Sequence, residues 1–166
     1  VPWQRCQFHF SRNITQKTPP KYQKGIATEL QEVFKCKTIE EARKHRDEII
    51  SDYKDIAENA MICLDEGFEA AMTVMVLPRY LHKYFRTSNQ IERLNKELKR
   101  RSKVIGVFPN EESLMRLMGA VLLERNEAIS SVRCMFNAKT CQEMFAGDLP
   151  AKLVDIAHNQ ARLLAA

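Results

Sequence analysis

Glu92 heads a stretch, 87–103, whose residue types could handle a divalent cation and a phosphodiester. Thr87-Ser88-Asn89 is a polar run of the kind that opens helices. Ile91, Leu94 and Leu98 then recur at helical spacing. Glu92, Lys96, Lys99 and Lys103 recur in the same way and form a second stripe, because steps of three, four and seven return a side chain to one helix face. A hard cation such as Mg²⁺ takes carboxylate and phosphate oxygens. Lysines further along the same face suit a nucleic-acid backbone. From Arg86 to Lys103 there are seven Lys or Arg against two Glu.

The spacing also admits a plainer reading. With Asn89 as the N-cap, Glu92 falls at the third helical position, where Glu or Gln closes a capping box. The basic run would then be a solvated face supported by pairs such as Glu92 with Lys96. Spacing alone favours the plainer reading, since capping boxes far outnumber catalytic glutamates.

The run Thr-Ser-Asn-Gln-Ile-Glu-Arg-Leu-Asn-Lys-Glu-Leu-Lys-Arg-Arg (87–101), followed by Phe108-Pro109 and a helix start containing Ser113, resembles the signature of Mutator-type insertion-sequence transposases. Ser88 departs from a pattern that usually has Thr there, and it keeps the hydroxyl. The resemblance implies that Glu92 is catalytic and a metal ligand, the last member of an Asp-Asp-Glu triad, with Lys99 as the basic residue seven positions on. It implies Mg²⁺ or Mn²⁺ as cofactor of the full-length protein only. It implies DNA as partner, contacted here by Lys96, Lys99, Arg100, Arg101 and Lys103, and a homo-oligomeric active complex. A second block, Trp3, Arg5, Cys6, His9, Arg12 and Asn13, resembles the family's segment just after its second catalytic Asp, which adds Arg12 as a DNA contact. No Asp of this chain stands in the family's context for the first two triad members. The expectation is therefore a piece of a transposase that is inactive when isolated. The alternative is a non-catalytic helical module that binds nucleic acid or another partner.

These residues need a scaffold to hold them. Of the 166 residues, 45% are hydrophobic and 28% charged, an ordinary globular composition with enough chain for one core. The net charge of +5 favours an acidic partner. Residues 1–10 alternate, with Val1 and Trp3 and then, after a shift, Cys6, Phe8 and Phe10, which reads as a short strand whose partners lie upstream. Beyond Pro19-Pro20 the pattern is helical. Ile26, Leu30, Val33 and Phe34 share one face. Thr38-Ile39-Glu40-Glu41 opens a second helix with Ala42, Ile49, Tyr53 and Ile56 inward. A third helix spans about 56–75, with Gly67 as a possible break and Pro78 beyond its end. Residues 77–86 read as an aromatic and basic connector that packs its rings inward. Asn110 caps a bracing helix with Leu114, Leu117, Met118, Val121 and Leu122 on one face. The pattern weakens around Cys134, Met135 and Phe136, breaks at 147–150, and ends in a last helix over 153–164.

The expected class is therefore mainly α. Residues 1–14 are a strand and helix start, 15–86 a helical insertion, 87–129 the Glu-bearing and bracing helices, and 130–166 a helical tail. The resemblance adds that the strand and the Glu-bearing helix are the C-terminal portion of an RNase H-like α/β domain.

Five scattered cysteines suit free thiols in a reducing compartment. Cys6-x-x-His9 has the spacing of half a zinc site, and the reading preferred here is a small buried thiol with a polar neighbour. No apolar run is long enough to span a membrane. The location expected is the prokaryotic cytoplasm, at the nucleoid.

Overall fold

The structure, a computed structural model, describes residues 2–130, 137–145 and 149–165. The expected irregularity at Cys134, Met135 and Phe136, and the Gly147-Asp148 part of the expected break, lie outside them. The chain divides into two compact units, Val1–Thr87 with Met144–Ala166, and Ser88–Glu143.

The first unit is a helical bundle. Its helices are α1 (Gln7–Gln16), α2 (Pro20–Val33), α3 (Ile39–Tyr53), α4 (Glu58–Met72), a 3₁₀ turn (Thr73–Val76), α5 (Arg79–Phe85) and α9 (Leu149–Ala165). Phe10 and Ile14 of α1, Ile26, Leu30 and Val33 of α2, Ala42 and Ile49 of α3, and Ala60, Leu64, Phe68 and Ala71 of α4 form one buried core. The spacing of three, four and seven that each helix shows in the sequence is what lets it present one apolar face there. Pro20 takes the first turn of α2, where a missing N–H costs nothing. Thr38 Oγ1 accepts from Glu41 N at 3.2 Å and starts α3.

The expected strand is a correction. No strand occurs among the described residues, and helix α1 begins at Gln7. The alternation of Cys6, Phe8 and Phe10 lost to a helical period: Gln7, Phe10 and Ile14 are buried while Phe8 is 61% exposed. Residues 2–6 enter α1 with no regular structure, and α4 and α9 supply their hydrogen bonds. Arg5 N donates to Ala70 O at 2.8 Å. The side-chain amides of Gln4 and Gln7 donate to Ala71 O at 2.8 and 3.0 Å. Both acceptors are carbonyls of the last turn of α4, which no helical N–H can reach. Gln160 of α9 accepts from Trp3 N at 2.9 Å and donates to Trp3 O at 2.8 Å, doing for one residue what a neighbouring strand would do.

Gly67 does not break α4. A Cβ there would lie 2.5 Å from Phe10 Cε2 and would also meet the Arg5 guanidinium, so the glycine lets α1 approach. Residues 79–85, expected as a connector, form a helix. It buries Leu81 and leaves Tyr80, Tyr84 and Phe85 exposed, so the inward packing expected of its rings does not occur.

The second unit contains α6 (Asn89–Ile105), α7 (Glu111–Ser130) and most of α8 (Ala138–Phe145). Between α6 and α7 the chain turns at Gly106, whose φ of 77° favours glycine, and Val107 N closes a γ-turn on Ile105 O at 3.0 Å. Asn110 Oδ1 then caps α7 by accepting from Ser113 N at 2.9 Å.

Candidate functional site

Helix α6 places Glu92 in its first turn, at the positive end of the helix dipole. The N-cap is Ser88, not Asn89, and Glu92 N closes the first intrahelical bond on Ser88 O at 3.0 Å. Glu92 is therefore one position past the place that a capping box requires. The Ser88 hydroxyl donates to Glu92 Oε1. The carboxylate is exposed at the head of α6, and a hydroxyl orients it.

The basic residues of α6 separate into two groups. Lys96, Lys99 and Lys103 are exposed, lie on the face of Glu92, and make no ion pair among the described residues. Arg100 and Arg101 are engaged by Glu97. Arg100 holds it with Nε at 2.8 Å and Nη2 at 2.7 Å, and Arg101 Nε reaches it at 2.8 Å. These hydrogen bonds, Arg100's foremost and Arg101's next, hold the Glu97 carboxyl down to about 2 from its ordinary 4.5. The same contacts raise both guanidinium pKa values. Arg101 Nη2 also reaches Glu124 on α7 at 3.2 Å, so this arginine ties the two helices together.

Few side chains are buried here. Helix α6 buries none, and α7 buries Val121. Leu94, Leu98, Leu114, Leu117 and Met118 are half-buried, while Leu122, expected on the packed face, is largely exposed.

Arg12 is exposed on α1, in the first unit. Of its sequence block, Arg5 stacks on the Phe10 ring at 4.9 Å. Cys6 takes the position just before α1, without a side-chain cap bond, and is half-buried. His9 is exposed, with its ring edge-on to Phe8 at 5.4 Å. Among the described residues no three His, Cys, Asp or Glu side chains gather as a metal cage would need, and no helix is long and apolar enough to cross a membrane.

The sequence reading missed the role of Glu97. Its spacing of three and four from Arg100 and Arg101 was the available signal. Glu124 carried no such signal, because its partner is set by the register of α7 on α6.

A family profile described as "Transposase, Mutator family" matches residues 1–131. The transposase for insertion sequence element IS256 in transposon Tn4001 of Staphylococcus aureus is 41% identical over 140 residues, which is 82% of this chain and 36% of that protein. The transposase for ISRM5 of Rhizobium meliloti is 33% identical over 125 residues, covering 75% of this chain and 31% of that protein. The transposase for IS406 of Burkholderia multivorans is 33% identical over 132 residues, covering 76% and 33%. The chain thus spans about a third of the length of these relatives. No solved structure matches it.

Proposed function

The chain belongs to the Mutator family of transposases, and from that premise we propose that it is the part of an insertion-element transposase that contributes Glu92 to DNA strand transfer. In this reading Glu92 is the last carboxylate of an Asp-Asp-Glu site. Helices α6 and α7 are the C-terminal helices of an RNase H-like catalytic domain. Residues 15–86 are a helical insertion, 1–14 lead into it, and 130–166 are a tail. Lys96, Lys99 and Lys103 hold the backbone of the element's terminal repeats or of the target. Arg12 is a secondary contact, and Arg100 and Arg101, engaged by Glu97, add to the positive field of α6. The active complex is a homo-oligomer in the bacterial cytoplasm, at the nucleoid.

The observation that carries this reading is the placement of Glu92 on one exposed face of α6 with three lysines that make no ion pair among the described residues. A carboxylate that only stabilised its own helix would need no such company. Phosphate contacts of this kind position DNA without reading its sequence.

Mg²⁺ or Mn²⁺ is the cofactor that this family membership suggests for the full-length protein. The described residues do not make a metal centre by themselves, since Glu92 has no second and third ligand gathered around it. A metal pair would stabilise the charges that develop on the attacking and leaving oxygens of a phosphodiester. The remaining carboxylates would come from the portion of the longer protein that this chain does not span. What this chain supplies is one oriented carboxylate and a positively charged face.

Glu92→Gln in a full-length protein tests the reading. Strand transfer should fall by several orders of magnitude while DNA binding is kept. A variant that still transfers strands would leave the non-catalytic binding module as the better account. The purified 166-residue chain, given Mg²⁺ or Mn²⁺ and DNA, should show no cleavage.

A further inference from the structure

Helices α6 and α7 flank a half-open cavity of about 410 Å³, away from the lysine face. Arg93, Arg101 and Arg125 line it with Glu97 and Glu124, and the buried Val121 forms part of its floor. The two carboxylates are both occupied. Glu97 takes Arg100 and Arg101, and Glu124 takes Arg101. Arg93 and Arg125 make no ion pair among the described residues. Two guanidiniums without a carboxylate therefore face one concave site with an apolar floor.

A guanidinium is a planar fork that matches the oxygens of a phosphate, and two forks on one anion would give bidentate geometry from both sides. The apolar floor lowers the local dielectric and strengthens such contacts relative to an open surface. Arg101, held by both glutamates, ties the two cavity walls together and adds positive potential without offering a free fork.

We propose that this cavity is a phosphate-binding site that takes a DNA backbone phosphodiester between Arg93 and Arg125. The proposal rests on the reading of the chain as DNA-binding. It adds a contact on a second side of α6, since Arg93 lies roughly 100° around the helix from Glu92. The helix would then hold phosphates on two faces, one through lysine point charges and one through arginine forks.

The test compares three forms of the chain binding one DNA duplex across a range of salt: the parent, Arg93→Gln/Arg125→Gln, and Lys99→Gln. Each lost phosphate contact lowers the log–log salt slope by about 0.9. The double variant should therefore lose about 1.8 and Lys99→Gln about 0.9. A double variant with the parent's slope, beside a lowered slope for Lys99→Gln, overturns the cavity site and leaves the DNA-binding reading standing. Parent slopes in both variants overturn both. In case the double variant folds poorly, the side-chain Nε–H resonances of Arg93 and Arg125 in the parent decide. They should shift on adding the duplex and shift less with inorganic phosphate, and static resonances overturn the site.

Discussion

Arg101 Nη2 lies 3.3 and 3.2 Å from the two carboxylate oxygens of Glu124, across the gap between α6 and α7. With α6 burying no side chain of its own and α7 burying Val121, this pair is one of few ties between the two helices. Arg101→Gln should therefore loosen the α6–α7 pair, whereas Lys99→Gln, on the solvated lysine face, should leave it intact. Hydrogen exchange of the α6 and α7 amides checks this. Faster exchange in Arg101→Gln and parental exchange in Lys99→Gln is the expected result, and equal exchange would show that the half-buried leucines suffice.

Glu97 gives this tie a pH dependence. Arg100 and Arg101 hold its carboxyl near 2, against an ordinary value of 4.5. A depressed folded-state pKa means that the contribution to stability is fully present above the unfolded value and is lost as pH falls through the folded one. The window is therefore about 4.5 down to about 2. Above it, Glu97→Gln should unfold α6 and α7 at lower temperature than the parent. Through the window the difference should shrink, and near pH 2 it should vanish. Added salt should reduce it at every pH, because these side chains are open to solvent. Circular dichroism melts at a series of pH values measure it, and a difference that survives at pH 2 would assign the effect to something other than charge.

Gly67 sets the approach of α1 to α4. A methyl group there would lie 2.5 Å from Phe10 Cε2, inside contact distance, and Phe10 is fully buried with little room to move. Overpacking of this kind costs about 1–3 kcal/mol. The alanine would return about 1 kcal/mol of helix propensity. Gly67→Ala should therefore be destabilising by on the order of 1 kcal/mol, read as a lower thermal midpoint. A midpoint equal to or above the parent's would mean that the Phe10 ring has space to turn aside.

The parts legible in the sequence were those with a local signal. Thr38 announces α3 by its own hydroxyl, Asn110 announces α7, and the apolar face of α2 recurs at helical spacing over several turns. The start of α1 was misread because Cys6, Phe8 and Phe10 match a period of two as well as a helix over so short a run. Only the carbonyls of Ala70 and Ala71 and the amide of Gln160, distant in the chain, show that no sheet is needed there. For the same reason the five basic residues of α6 singled out in the sequence looked alike. Their difference depends on Glu97, one helical turn away, and on Glu124, which the sequence does not pair with α6.

That difference is open to measurement. Lys99 is exposed, on the face of Glu92, without an ion pair among the described residues, whereas Arg100 donates two hydrogen bonds to Glu97. To reach a phosphate, Arg100 must first leave a carboxylate that already satisfies its fork, and the gain from one exchange is small. Lys99 gives up only water. Removing either changes the net charge by the same amount, so a purely long-range effect would weaken DNA binding equally. A contact effect would not. Lys99→Gln should lower the log–log salt slope by about 0.9, and Arg100→Gln should leave it near the parent's. Equal losses in both variants would show that α6 attracts DNA by its overall field and that no single side chain holds a phosphate.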